Sequence, residues 1–329
     1  MVVKWYNERK SWRSVGCLSE TTFMDVQKEV FTLFKLQLYD EVLLLINKVE
    51  RNFPDRLDKT IFWKACVHSL QGNEQKAIAA LNDGLLKGVW WNPSTLKQDK
   101  DLKNLQNLEE FKDILGKCQN ILQNKTQLTE PQMFTYGNEQ ADIGLISLHW
   151  RGSNVEDFAP YWLDEYLLGQ SLFTFFQSSQ LFGYNTYCWD NQKLAVEEIS
   201  RLYSDFKEKY ETKFNILTGA SQGGKLAIEL SLASTIHGTK GFIVVIPAIQ
   251  DVKALERLLE GAKHKQKGFI ITGDMDPFYD KTLELVKLFE KHHFPCKCVV
   301  VEGLGHFFPE NFTHLLKEAI QYLQIEDIR

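Results

Sequence analysis

The chain has 329 residues, of which 44% are hydrophobic and 25% charged, and its formal net charge at pH 7 is −5. Its lysines and arginines are scattered among acidic residues, which argues against a nucleic-acid partner. No window stays apolar for long enough to cross a membrane, and the N-terminus lacks the apolar core of a signal peptide. We therefore predict a cytoplasmic protein without a membrane span.

The six cysteines give no metal-binding pattern. They lie far apart except for Cys296 and Cys298, and no second pair of cysteines or histidines complements those two. We predict reduced thiols and no metal site.

The first third of the chain is predicted to be helical. Between residues 22 and 120 the apolar residues recur at helical spacing. Two segments look like copies of one another, Leu38–Leu43 and Gly72–Ile78, each at a turn between two predicted helices. Val42 and Ala77 stand where the helices must approach. The spacing resembles the tetratricopeptide repeat, a helix-turn-helix unit of 34 residues, although two units are fewer than a free-standing solenoid needs.

A helix break and a polar segment mark the end of this region. The sequence GVWWNP at 88–93 interrupts the helical pattern, and one more amphipathic helix is predicted to end near Cys118. We expect Trp90 and Trp91 to be buried in packing rather than to form a binding site. Residues 120–132 are polar and include Pro131. We predict an all-α, tetratricopeptide-like domain over 1–125 and a second domain over 132–329.

The second domain alternates strands and helices. Buried strands are predicted at Ile143–Leu148, Leu172–Phe176, Phe214–Leu217, Phe242–Ile246, Phe269–Thr272 and Val299–Val301. Helices are predicted at Val155–Tyr166, Leu194–Tyr210, Val252–Leu259 and Thr282–Lys291. This alternation predicts an α/β fold, a mostly parallel sheet covered by helices on both faces. Ligands of such sheets bind beyond the carboxyl ends of the strands.

The sequence GASQG at 219–223 matches the G-x-S-x-G nucleophile elbow and lies between a predicted strand and a predicted helix. In such an elbow a sharp turn exposes the serine hydroxyl, and small residues flank it because the backbone passes close to its neighbours. The alternative is a glycine-rich turn that contains a serine by chance. The flanking strand and helix favour Ser221 as a nucleophile.

A serine nucleophile needs a histidine base, and the base needs a carboxylate partner. Two acids, Asp274 and Asp276, follow a late strand, and His306 lies on a glycine-flexed loop after the last strand. This is the chain order of serine, acid and histidine found in α/β-hydrolases. The residues alone leave open which aspartate faces the histidine and which one caps the turn.

The loop after Ile143–Leu148 is a candidate for half of an oxyanion hole. Its sequence, HWRGSN at 149–154, could supply a backbone amide that works with the amide of Gln222. The same loop could also cap the helix that follows it, and both roles can hold together.

Five motifs together resemble a known family: LHWRGSN, QSSQ followed by Cys188-Trp189-Asp190, GASQGG, GDMDP and GLGHFFP. They make residues 133–323 similar to an α/β-hydrolase of the phospholipase/carboxylesterase group, related to acyl-protein thioesterases and dienelactone-hydrolase-like esterases. The segments WWNP and DKDL resemble a tetratricopeptide-like extension fused to some bacterial members.

The resemblance implies roles for individual residues. It places the nucleophile at Ser221, the base at His306 and the acid at Asp276, with oxyanion amides at Gln222 and Arg151. Trp150 stands where relatives usually have glycine, which puts the second amide and the pocket size in question. The resemblance also places Trp150, Ser178 and Trp189 at a possible substrate pocket.

The predicted function is a serine hydrolase that cleaves carboxylic esters or thioesters through an acyl-enzyme, without a metal or organic cofactor. The predicted partner is a small ester or thioester, and the N-terminal helices are predicted to cover the active-site mouth or to form a protein or homo-oligomer contact. A peptidase or acyltransferase on the same fold remains an alternative, because a triad does not specify the leaving group. A second alternative is a scaffold whose helical repeats bind a partner.

Overall fold

The computed structural model describes residues 22–125, 129–261 and 266–324. Its first part is helical, and the helices are α1 (Phe23–Lys35), α2 (Tyr39–Asn52), α3 (Leu57–Leu70), α4 (Glu74–Leu86), α5 (Pro93–Gln98) and α6 (Glu109–Lys125). Short 3-10 helices lie at Pro54–Arg56 and Lys100–Leu105. Within the described ranges, none of the helices combines the length and the apolar character needed to cross a membrane.

Helices α1 to α4 form two successive helical hairpins. A capping box starts α1, in which the Thr22 side chain accepts from the Asp25 amide and the Asp25 carboxylate accepts from the Thr22 amide. Val42 in α2 and Ala77 in α4 are both fully buried, as their place at the helix crossings predicts. Gln71, in the turn before α4, donates to Asp40 at the start of α2. The C-terminal end of α3 and the first turn of α2 are therefore in direct contact.

The second part contains a sheet and the helices that cover it. The strands are β1 (Gln132–Gly137), β2 (Ile143–Leu148), β3 (Ser171–Gln177), β4 (Leu181–Gly183), β5 (Thr186–Tyr187), β6 (Phe214–Ala220), β7 (Thr239–Val245), β8 (Lys267–Gly273) and β9 (Cys296–Val301). The helices are α7 (Val155–Phe158), α8 (Glu165–Gln170), α9 (Gln192–Lys209), α10 (Ser221–Leu232), α11 (Val252–Gly261), α12 (Tyr279–Lys291) and α13 (Phe312–Gln324).

Seven strands pair in the order β1-β3-β2-β6-β7-β8-β9, and every pair is parallel except that of β1 with β3. Strands β4 and β5 form a separate two-stranded ribbon. The register sets Leu148 at the end of β2 beside Gly219 near the end of β6. It also pairs Gly273 at the end of β8 with Val301 at the end of β9. The loops that follow these four strands consequently leave the same edge of the sheet.

Successive residues of the central strands point to opposite faces, and each face has its own core. Ile146 and Val244 pack with α9 to α12, whereas their neighbours Leu145 and Val245 pack with α7 and α13. Apolar residues on both faces explain why these strands are continuous hydrophobic runs. The predicted mostly parallel sheet with helices on both faces is confirmed, and the architecture is an α/β-hydrolase fold preceded by an all-helical region.

The predicted helix Val155–Tyr166 is wrong in its extent. The structure breaks it into α7, a 3-10 turn at Ala159–Tyr161 and, after a gap, α8. Pro160 lacks the amide hydrogen that a continuing α-helix needs.

Contacts divide the chain into two compact units. One contains the described residues up to Val89 together with Lys97–Ile114, and the other contains Trp90–Leu96 and the described residues from Leu115 onward. Trp90 and Leu96 are buried. The segment Trp90–Leu96 is thus grouped with the sheet, although the sequence predicted it to be part of the first domain.

Candidate active site

The chain turns sharply from β6 into α10 at Ser221, whose φ is +51°. Positive φ is costly for a residue with a side chain and is the strain typical of a nucleophile elbow. The turn needs glycine around it: a Cβ at Gly219 would lie 2.6 Å from the Gly223 carbonyl carbon, and one at Gly223 would lie 2.2 Å from the Leu148 oxygen. These close approaches explain the glycines of the GASQGG motif.

Three side chains meet at the carboxyl edge of the sheet. The Ser221 hydroxyl lies 2.8 Å from His306 Nε2, and His306 Nδ1 lies 2.8 Å from Asp276 Oδ2. Asp276 is buried, and its second oxygen accepts a hydrogen bond from the Phe278 amide at 2.7 Å. The Phe278 ring in turn lies against the imidazole, with centroids 5.3 Å apart. The arrangement holds the imidazole between a hydroxyl and a carboxylate.

Asp274, the other candidate acid, is exposed. Its carboxylate accepts a hydrogen bond from the Gly303 amide at 2.7 Å, in the turn that follows β9. The two aspartates therefore divide the tasks that the sequence left open between them: Asp276 faces the histidine, and Asp274 caps a neighbouring turn.

One carboxylate connects the two residues whose amides were predicted to form the oxyanion hole. Asp190 accepts two hydrogen bonds from the Arg151 guanidinium, at 2.8 and 2.7 Å, and one from the Gln222 side chain at 2.8 Å. The Gln222 side-chain oxygen accepts from the Trp189 amide. Hydrogen bonds from Arg151 hold the pKa of Asp190 below its usual range, so this carboxylate stays charged.

The β4–β5 ribbon supports the loop that carries Arg151. Gly152 donates its amide hydrogen to the Tyr187 carbonyl, and the Tyr187 amide donates to the Ser153 carbonyl. The guanidinium of Arg151 lies over the Phe182 ring, 4.5 Å from its centroid. Two successive backbone hydrogen bonds and a cation–π contact thus fix the loop after β2.

His149 lies under this loop and is fully buried. Its Nδ1–H donates to the Trp150 carbonyl at 2.8 Å, and its Nε2 accepts from the Ser178 amide at 3.3 Å. Burial lowers the pKa of His149 to about 4, and the bond to the Trp150 carbonyl offsets part of this effect. The imidazole is therefore neutral at pH 7, with its proton on Nδ1.

The QSSQ segment at 177–180 connects neighbouring elements through hydrogen bonds. Gln177 accepts from the Val155 amide, and the Gln180 side chain both donates to and accepts from the Asn191 backbone. Ser178 and its neighbour are bonded to the buried carboxylate of Glu198 on α9. These bonds join the loop after β3 to the starts of α7 and α9.

A cavity of about 470 Å³ opens at Ser221. Trp189 lines it, as predicted for the pocket, and so do Arg151 and Gln222. Trp150 and Ser178, also predicted for the pocket, are not among its lining residues. Ser178 is fully buried beneath the loop and is engaged by His149 and Glu198, which leaves it no access to this cavity.

Trp150 belongs to an aromatic cluster on the other side of the loop. Its ring lies 5.3 to 5.9 Å from the rings of Tyr161, Phe307 and Phe308. Phe307 directly follows His306, so the indole packs behind the histidine loop instead of filling the cavity at Ser221. The question of pocket size that Trp150 raised is thus answered for this cavity, because the ring does not line it.

Sequence reasoning assigned no role to Asp190, Lys225, Glu229 or Phe278, all of which line the cavity. The sequence contains a signal for two of them: Lys225 and Glu229 follow Ser221 by four and eight residues, which places them on the same face of α10 as Ser221. The other two depend on how loops fold, which spacing does not reveal.

One group in the helical region has metal-ligand chemistry. The donor atoms of Cys66, Asp99 and Asp101 lie within 4.8 Å of one another. Asp99 already caps the Asp101 amide. Burial raises the pKa of the Cys66 thiol well above its ordinary value, which disfavours the thiolate that a metal binds. Both observations weigh against a metal at this group.

A family model described as the N-terminal domain of A/B hydrolase-like proteins matches residues 22–126. No curated protein matches the chain. The structure is similar to that of an uncharacterized protein from Bacillus cereus ATCC 10987, with 25% sequence identity, a TM-score of 0.53, and coverage of 92% of this chain and 99% of that one. This likeness extends over both the helical region and the sheet.

Two further similar structures are enzymes and cover 59% of this chain. Esterase PE8 is 18% identical, with 99% of its chain covered and a TM-score of 0.49. The S-formylglutathione hydrolase FrmB from Staphylococcus aureus is 13% identical, with 97% of its chain covered and a TM-score of 0.45.

Proposed function

We propose that this α/β-hydrolase-fold protein is a serine hydrolase that cleaves carboxylic esters or thioesters through an acyl-enzyme. The observation that carries the proposal is the continuous line of two 2.8 Å contacts from Ser221 through His306 to Asp276. The strained elbow exposes the hydroxyl at the cavity, where a substrate carbonyl has access to it.

In the proposed mechanism, His306 Nε2 accepts the Ser221 proton as the hydroxyl oxygen attacks the carbonyl carbon. The tetrahedral intermediate collapses, and the imidazolium returns the proton to the departing alcohol or thiol. A water molecule then attacks the acyl-enzyme with the same base, which releases the acid and restores the serine. Asp276 keeps the Nδ1–H tautomer and stabilises the imidazolium.

The negative charge of the intermediate needs amide donors that are already oriented. We assign them to Gln222, in the first turn of α10 where amides lack intrahelical acceptors, and to Arg151. The shared bonds of both side chains to Asp190 support this assignment, because they fix the elbow and the loop relative to each other.

A fluorophosphonate probe tests the proposal, since it reacts with a serine activated by a base and an oxyanion hole. We expect covalent labelling of the wild-type protein at Ser221 and hydrolysis of p-nitrophenyl acetate. Ser221→Ala should abolish labelling and lower kcat by roughly 10⁴ to 10⁶. Ser204→Ala, on the exposed side of α9, is the matched control and should change neither.

Folded wild-type protein that the probe does not label, while a control hydrolase is labelled, would overturn the proposal and favour the scaffold. Labelling without ester turnover would support Ser221 as a nucleophile but contradict an ester substrate, and it would favour the peptidase or acyltransferase alternative.

A further inference from the structure

The cavity at Ser221 has an unusual lining for a small-molecule pocket. Such pockets are mostly apolar, with a few placed polar groups. Here charged and amide side chains predominate, and two ion pairs face the space: Arg151 with Asp190, and Lys225 with Glu229. A long hydrocarbon chain would leave these groups without water and without new partners.

The acidic members of both pairs already contact donors of the protein with both carboxylate oxygens. Asp190 accepts from Arg151 with both oxygens and from Gln222 as well. Glu229 contacts Lys225 with one oxygen and accepts from Gln192 with the other. Each carboxylate therefore already has a cationic partner within the protein.

The Lys225 ammonium has donors to spare. An ammonium carries three N–H groups, and in the described part of the chain Glu229 is the acceptor paired with it, at 2.8 Å. Lys225 is also the more accessible member of the pair, with 30% of its side chain exposed against 12% for Glu229. In addition, a lysine that precedes its acid by four residues is the less favourable order on a helix. The cation is thus available to an incoming acceptor.

We propose that the substrate is an ester or thioester that carries a carboxylate, and that Lys225 binds this carboxylate. The inference rests on the proposed function and names the substrate class of the same site. Lys225 is a specificity residue and takes no part in the bond-breaking steps.

Helix geometry sets the distance between the two groups of the substrate. Lys225 follows Ser221 by four residues on α10, so their backbones are about 6 Å apart along the axis and their side chains lie on one face. A carboxylate carbon roughly 6 Å from the reacting carbonyl carbon fits this spacing.

Two pairs of esters test the proposal, one for each side of the scissile bond. The mono-p-nitrophenyl ester of adipic acid carries the carboxylate on the acyl side, and its partner is the p-nitrophenyl ester of adipamic acid. The second pair, 4-acetoxybenzoate and 4-acetoxybenzamide, carries the charge or its neutral replacement on the leaving group. Rates with Ser221→Ala give the uncatalysed background for every ester.

For one of the two pairs we expect kcat/KM to be roughly tenfold to a hundredfold higher for the carboxylate than for the amide, as a charge-assisted hydrogen bond predicts. Lys225→Met should remove this preference by lowering kcat/KM for the carboxylate esters towards the value for the amides. Lys225→Arg should retain much of it. Lys213→Met is the matched control, because Lys213 pairs with Asp142 before β6, at the opposite end of the strand from Ser221.

Equal rates for carboxylate and amide in both pairs would overturn the proposal, and so would a preference that survives in Lys225→Met. Fluorophosphonate labelling of the same preparations separates this failure from a failure of the proposed function: labelled protein without a carboxylate preference remains a serine hydrolase.

Discussion

Asp274 and Asp276 follow the same strand two residues apart, yet their surroundings differ. Asp276 is 5% exposed and accepts hydrogen bonds from His306 and the Phe278 amide, whereas Asp274 is exposed and accepts one from the Gly303 amide. Burial beside the imidazole suits Asp276 to its proposed role, the stabilisation of an imidazolium.

Asparagine substitutions should therefore have unequal effects. We expect Asp276→Asn to lower kcat by about 10⁴, because an amide favours the wrong histidine tautomer and removes the counter-charge. Asp274→Asn keeps an oxygen for the Gly303 amide and should change kcat by less than about threefold. Steady-state kinetics on p-nitrophenyl acetate, with circular dichroism as the check on folding, measure both. A larger loss at Asp274 would assign the acid to that residue.

The buried His149 should make the stability of the fold depend on pH, independently of any effect of pH on catalysis. Its folded pKa of about 4 lies below the ordinary value of 6.5, so between these values the unfolded chain binds a proton that the folded chain excludes. The free energy of unfolding should therefore fall as the pH drops from 6.5 towards 4. Above pH 6.5 the neutral His149 causes no such loss of stability.

Urea unfolding at pH 7 and pH 5 measures this effect. The wild-type protein should lose roughly 2 kcal/mol more stability between the two pH values than His149→Asn does, since one pKa unit corresponds to about 1.4 kcal/mol. The comparison cancels other titrating groups, which both proteins share. Equal losses would show that the imidazole is protonated in the fold without penalty.

The sequence located the catalytic candidates better than it located their surroundings. Ser221 and His306 could be predicted because an elbow motif and a loop after the last strand restrict the choice. The position of the Trp150 ring could not, because a side chain after a strand end can turn to either side of its loop. Here it packs against Phe307 and Phe308, whose approach depends on the tertiary fold.

At the scale of elements, the central strands were predictable and the edge of the sheet was not. The predicted strand Ile143–Leu148 coincides with β2, which is apolar because both its faces are covered. Strand β1 carries a mixed sequence, QMFTYG, whose residues are half-buried or exposed. Strands β4 and β5 have three and two residues, too few for a period to appear.

The missed β4–β5 ribbon also connects a distant stretch of sequence to the loop after β2, which carries Arg151. Asn92 donates its side-chain N–H to the Phe182 carbonyl at 2.7 Å, and the Tyr184 amide donates to the Trp90 carbonyl. The Phe182 ring carries the Arg151 guanidinium. Residues of the WWNP segment thereby hold the ribbon that orients Arg151.

We predict that Asn92→Asp lowers kcat several-fold with a smaller change in KM. The carboxylate keeps the bonds that Asn92 Oδ1 accepts from Ser94, but it loses the N–H donor and places charge against the Phe182 carbonyl. Asn104→Asp is the matched control, since Asn104 donates its side-chain N–H to the Ser69 carbonyl within the helical region.

Both variants should lose about 1–2 kcal/mol of stability in urea unfolding, and Asn92→Asp alone should lose turnover. Equal turnover in the two variants would mean that the ribbon is dispensable for orienting Arg151.

For the whole molecule, the grouping of Trp90–Leu96 with the sheet bears on where the second unit can be separated from the rest of the chain. The predicted division at 125 and 132 remains a prediction, as do the repeat designation of the helical hairpins and a protein contact through them. Trp90 and Leu96 are 1% and 0% exposed, so this segment contributes to the stability of the fold mainly by burying apolar side chains. Each such side chain stabilises the fold by about 2–3 kcal/mol.

Two fragments test whether the sheet and its loops require the residues before Thr129, among them this segment. Gly88–Arg329 retains Trp90, Leu96 and the Asn92 bond to the ribbon, whereas Thr129–Arg329 lacks them while keeping the Thr129 contact with the Ser179 carbonyl. We expect the shorter fragment to unfold several degrees lower, since each kcal/mol shifts the Tm by about 2–4 °C at this size. Its kcat should fall as well, because the ribbon would no longer be held from the side of Asn92. Identical Tm and kcat for the two fragments would show that the sheet and the loops that carry Ser221, Asp276 and His306 are complete from residue 129 onward.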